Sequence, residues 1–185
     1  MAAFTRKTDG VEFGLEDGLA ILAPHAMTVL ARVGSEFGGV ITYTDLSEET
    51  KQMGGLTTSM GLRNWIGKLL GKVVHDANLA GLPPVTSLVV HIHDGMVGEG
   101  YSEVLAVAGE EPVEDPLERE KHAAAARLAC YRYFGAEVPE GAQPMLTAKL
   151  TASIARQRTR APLRAAVTCD SCFMELPATG ICSCS

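Results

Sequence analysis

Apolar residues early in the chain recur at helical spacing. Leu19, Leu22, Ala23, Ala26, Leu30 and Val33 share one side of a 3.6-residue period and predict a helix between Asp17 and Gly34. Asp17 can cap it, or Pro24 can open it as a first-turn proline. The β-branched and aromatic run Val40-Ile41-Thr42-Tyr43 predicts a strand, and Thr44 with the acids of Asp45-Leu46-Ser47-Glu48-Glu49 starts a short second helix. Thr57-Thr58-Ser59 offers an N-cap for a third helix reaching Asn78, in which Leu62, Ile66, Leu69, Leu70, Val73 and Ala77 form one apolar stripe. Val85 to Ile92 and Tyr101 to Val107 then read as two strands of a hairpin, joined through Gly95, Gly98 and Gly100. From Pro116 the chain is rich in strong helix formers until Gly135 stops it.

Helix, strand, two helices and a hairpin is the order of a winged helix, so the expected class is α+β with an additional C-terminal helix. Three parts follow: a winged-helix-like globular domain over residues 1–135, a basic linker or arm over 136–168, and a small zinc-bound tail over 169–185. A chain of 185 residues with 46% hydrophobic and 21% charged positions can bury a proper core and suits one compact domain with an appendage. Met1 to Gly10 holds no apolar stretch of signal-peptide length, and Pro24 and His25 break the greasiest early run. The expectation is a soluble, cytoplasmic protein without membrane contact.

A net charge of −6 argues against a nucleic-acid partner, but its distribution does not. Glu99 to Glu120 carries eight acids against the single base Arg119, read as solvated surface, whereas Gly141 to Thr168 has no acid and five bases: Lys149, Arg156, Arg158, Arg160 and Arg164. The polar face of the third helix carries Asn64, Lys68, Gly71 and His75, with Arg63 and Lys72 flanking it and no acid between Gly61 and Asp76. Cations, an asparagine and small residues on one face suit close approach to a phosphate backbone and hydrogen bonds to base edges. Arg63, Asn64, Lys68 and Lys72, with Arg156, Arg158 and Arg160 from the arm, are the candidate contacts to double-stranded DNA.

Ile41-Thr42-Tyr43-Thr44-Asp45-Leu46, the amphipathic helix from Leu62, Pro84-Val85-Thr86-Ser87-Leu88-Val89-Val90 and Asp94-Gly95-Met96-Val97-Gly98-Glu99-Gly100-Tyr101 together resemble the DNA-binding domain of alkylguanine-DNA alkyltransferase-like proteins. The resemblance implies a DNA-facing helix that enters the minor groove. In that family a Pro-Cys-His-Arg-Val-Val motif carries the alkyl-accepting thiolate; Val85-Thr86-Ser87-Leu88 stand in place of its first four residues here. A threonine hydroxyl is a poor substitute for a thiolate, and no neighbouring histidine is placed to activate it, so the implied chemistry is absent.

Four of the five cysteines close the chain as Cys169, Cys172, Cys182 and Cys184. Cys169-Asp170-Ser171-Cys172 forms a knuckle, Pro177 and Gly180 turn the chain back, and Cys182 and Cys184 complete a tetrahedral set, similar to small zinc ribbons except that the second half is Cys-x-Cys. Soft thiolates favour Zn²⁺, and four protein ligands leave no open position, so the expected role is structural. Cys130 reads as a small buried hydrophobe. His91 and His93 alternate on a strand beside Asp94 but lack further ligands and read as exposed hairpin residues.

These features point to a non-catalytic DNA-binding protein, regulatory or architectural. The alternatives are an adaptor docking a protein partner through the zinc tail, and a degenerate alkyltransferase-like lesion binder or metal-dependent nuclease.

Overall fold

The computed structural model of the protein describes residues 3–159, the side chains of Arg158 and Thr159 excepted, together with Cys169, Cys172, Met174 and Cys184. Two short strands, β1 (Phe4–Arg6) and β2 (Glu12–Phe13), precede the first helix, α1 (Leu15–Gly34). Helix α1 starts earlier than Asp17 and carries Pro24 inside it, so the proline is not the opener. Its buried face, Leu19, Leu22, Ala23, Ala26, Val29, Leu30 and Val33, includes every apolar position that the sequence picks out. This face is the centre of the core: α2 (Tyr43–Gly54), α3 (Ile66–Leu79), α5 (Pro116–Tyr133) and the turn Val85–Leu88 all contact α1.

Strand β3 (Ile41–Thr42) runs directly into α2, whose N-cap is Thr42 and not Thr44: the Thr42 hydroxyl accepts from the Asp45 N–H at 3.1 Å. The threonines at 57 and 58 do not cap α3. Thr57 lies in β4 (Leu56–Thr57), paired antiparallel with β1, and the Thr58 hydroxyl donates to the Ala3 carbonyl at 2.6 Å. With those groups committed to a three-stranded sheet of order β2-β1-β4, α3 begins later, after a 3₁₀ turn at Leu62–Asn64. Trp65 there meets the Phe4 ring edge-on at 5.4 Å, locking the small sheet to the helical core.

The hairpin wing expected from residues 85 to 107 is not formed. Val85–Leu88 is a 3₁₀ turn, and only Val89–Val90 is extended, as β5; it pairs in parallel with β3 through Ile41↔Val89 and Thr42↔Val90. Parallel neighbours require a crossover, which α2 and α3 supply. Ser102–Ala108 is a helix, α4, ended by Gly109 at φ 72°. Buried Tyr101, Val104 and Leu105 follow an i, i+3, i+4 pattern that a window of this length barely separates from alternation. These residues pack with Val74, Val90, Val97 and Ala123 in a second apolar cluster. The α+β class holds, without a winged hairpin.

Asp115 caps α5 through the N–H groups of Leu117 and Glu118, and Pro116 opens it. Helix α6 (Ala148–Thr159) begins beside Thr147, whose hydroxyl accepts from the Leu150 N–H and donates to the Gly95 carbonyl. The first compact unit therefore runs past residue 135 to Leu150; the second is Thr151–Ser185. Among the described residues no helix is long and apolar enough to cross a membrane.

Candidate nucleic-acid interface and metal centre

Helix α3 buries Ile66, Leu69, Val73, Val74 and Ala77, and that packing turns Gly67 and Lys68 outward. Arg63 and Asn64 are exposed in the turn leading into it. Neither Arg63 nor Lys68 pairs with a carboxylate among the described residues, whereas Lys72 lies 3.2 Å from Asp76 one turn on. A Cβ added at Gly67 or Gly71 would meet no atom within 4 Å beyond the helix's own backbone. Close packing thus explains neither helical glycine. Arg63, Asn64 and Lys68 are all exposed, and Asp76 compensates Lys72 locally. Arg156 lies exposed on α6 in the second unit; the Arg158 side chain and Arg160 lie outside the described residues.

Beside α3 opens a cleft of about 710 Å³, lined by that helix, the start of α2 and the segment from His91 to Glu103. Its apolar wall includes Ile66, Leu70, Val74 and Val97, while Arg63, Glu99 and Glu103 bring charge of both signs to the lining. Tyr43, the first residue of α2, accepts from the Gly98 N–H at 3.2 Å and stacks against His91 with ring centroids 4.9 Å apart. Burial holds the Tyr43 phenol above its ordinary pKa, keeping it protonated at neutral pH. A Cβ at Gly98 would stand 2.7 Å from the Tyr43 oxygen and 2.9 Å from His91 Nε2, so only glycine allows this approach.

His91 is half-buried in this cluster rather than exposed. Strand β5 ends at Val90, and a tight turn carries His91 and His93 with ring centroids 5.1 Å apart. His93 pairs with Asp94 at 3.0 Å, and neither histidine joins a metal-ligating cluster among the described residues. Thr86, at the position of the alkyl-accepting cysteine in the resembled motif, also lines the cleft. It is 8% exposed, and its hydroxyl has no hydrogen-bond partner. Among the described residues no basic side chain hydrogen-bonds to it.

Two charges behind the cleft escaped the sequence pattern. Glu120, counted there in a solvated acidic run, is 0% exposed and ion-paired with Arg127, itself 2% exposed. The second Glu120 oxygen accepts from the Val97 N–H at 2.9 Å, and Arg127 donates to the Ser87 carbonyl at 3.2 Å. The available signal was their spacing, two turns apart on one helix face. Further along, the Tyr101 phenol contacts His122 at 2.9 Å and His122 contacts Glu110 at 3.0 Å. Cys130 is fully buried beside Ser87, and burial pushes its thiol up to about 11, favouring the protonated form at neutral pH.

In the tail, the sulfurs of Cys169, Cys172 and Cys184 all lie within 4.8 Å of one another, with Cys169 and Cys184 at 3.6 Å. Tetrahedral zinc with bonds of about 2.3 Å sets its sulfurs roughly 3.8 Å apart, so three thiolates are gathered at a spacing that can hold a metal ion. The Cys169 N–H donates to the Met174 carbonyl at 2.8 Å, closing the knuckle. Cys182 lies outside the described residues.

The chain matches no protein-family model, no curated protein and no solved structure.

Proposed function

We propose that the protein binds double-stranded DNA without transforming it, laying the exposed face of α3 and the turn before it against the duplex. The observation that carries this reading is the exposed Arg63, Asn64 and Lys68, with no carboxylate paired to either cation among the described residues, beside two helical glycines whose Cβ positions are open. Cations meet phosphates, and missing side chains let the DNA backbone come close. Lys72 contributes less because Asp76 already compensates it. Arg156, Arg158 and Arg160 add phosphate contacts from the arm. Zn²⁺ held by Cys169, Cys172, Cys184 and Cys182 orders the tail and does no chemistry.

The second reading, a degenerate lesion binder, has an observation of its own in Thr86. A buried hydroxyl without a partner faces a cost that a bound polar group would remove. Together with the Tyr43 and His91 rings, the cleft offers a stacking surface to a base displaced from the helix, with the Thr86 hydroxyl just beneath its wall.

Fluorescence anisotropy on labelled duplex DNA at several salt concentrations tests both. Submicromolar binding that weakens steeply with salt is expected, lost in R63A/K68A/K72A and only slightly weakened in K72A. A duplex carrying one bulged base should bind more tightly than an intact one, and T86V should lose that preference alone. No binding at low salt would overturn the DNA reading.

A further inference from the structure

The buried ion pair on α5 touches the lining of the cleft at Val97 and, at Ser87, the residue next to the lining residue Thr86. Thr86 belongs to the turn Val85–Leu88, and the next residue, Ser87, gives its carbonyl to Arg127. Val97 and Gly98 belong to the segment after β5, and Val97 gives its N–H to Glu120. Glu120 and Arg127 bond each other through their remaining arms. One continuous chain of bonds therefore runs from Ser87 through Arg127 and Glu120 to Val97. It extends across Gly98 to the Tyr43 phenol.

A buried ion pair is a poor device for stability alone. Two charges lose their hydration, and well-packed apolar residues of similar volume often serve as well or better. What the pair supplies here is geometry: a planar guanidinium and a carboxylate, each using two arms, hold two backbone segments in one register. Apolar side chains could fill the volume but would leave the Ser87 carbonyl and the Val97 N–H unpaired.

We propose that Glu120 and Arg127 are the positioning residues of the cleft, setting Thr86 relative to the Val97–Gly98 segment so that the site has one shape before a ligand arrives. The ligand side of this inference rests on the DNA reading above; the geometric side does not.

Amide hydrogen exchange by mass spectrometry, run beside the duplex titrations, tests it on full-length E120M/R127M and R127K. The double variant keeps the volume and removes both charges. Exchange in the segments covering Val85–Val90 and Val97–Tyr101 should accelerate at least about tenfold, while α1 changes less than about twofold. Its affinity for intact duplex should stay near wild type while the bulged-base preference disappears. Lysine in R127K keeps the charge but offers one nitrogen, so the Val85–Val90 segment alone should loosen. R127K decides the matter should the double variant fail to fold. Unchanged exchange in both segments, or acceleration spread equally through α1, would overturn the proposal. If wild-type protein binds no DNA, the DNA reading falls and the exchange comparison still decides the positioning role.

Discussion

Cys130 sits on α5 with its sulfur 3.9 Å from the Ser87 hydroxyl, fully buried, and desolvation raises its pKa from the usual 9.0 to about 11. The unfolded chain gives up this proton first as pH rises. Stability supplied by the neutral buried thiol is thus complete below pH 9 and is lost as pH climbs through about 11. Denaturant unfolding should show a fall across that window of which Cys130 accounts for roughly 3 kcal/mol. The C130A variant should lack the early part of the fall and keep the later part, because burial also pushes Tyr131 up to about 12. A pH profile identical to wild type in C130A would contradict this account.

At the scale of the element, α3 carries a cost that its packing does not explain. Gly71 lies in the helix interior with nothing beyond the helix's own backbone within 4 Å of where a Cβ would stand. Alanine there should stabilise the protein by about 1 kcal/mol, measured by chemical denaturation. The same G71A change should weaken duplex binding, since the methyl group would occupy the space that close approach requires. Higher stability with unchanged affinity would mean that the glycine serves no interface. By contrast, α1 needs no such explanation: its stripe is buried against three helices, and even Pro24 is accommodated within it.

Taken as a whole molecule, the chain divides into a helical unit built around α1 and a second unit that contains the cysteine cluster. Removing metal with a chelator should therefore leave the helical unit's melting temperature within about 2 °C, while the tail loses protection from proteolysis. Purified protein should carry about one zinc per chain by elemental analysis, and C169S or C172S should abolish binding. C182S separates the four-sulfur arrangement from a three-sulfur one: retention of full zinc affinity would exclude Cys182 as a ligand.

The sequence alone determined the long helices. In α1 and α3 the apolar period, and in α5 the run of strong helix formers from Pro116 to the stop at Gly135, are local features, and local features survive whatever packs against them. It also determined the spacing of the tail cysteines and the acid-poor face of α3. Tertiary structure decided the rest. Strands of two or three residues carry no periodic signal, and the parallel pairing of Ile41 with Val89 exists only because α2 and α3 carry the chain across. Tyr101 to Val107 fits two periods, and the Val74 and Val90 surface selects the helix. Thr57 and Thr58 look like a helix cap, but β1 and Ala3 claim them first. Glu120 resembles its acidic neighbours in the chain, yet its burial depends on Arg127, Val97 and Ser87 meeting at one place. A charge can leave water only where the fold supplies its partners, and no local pattern contains that information.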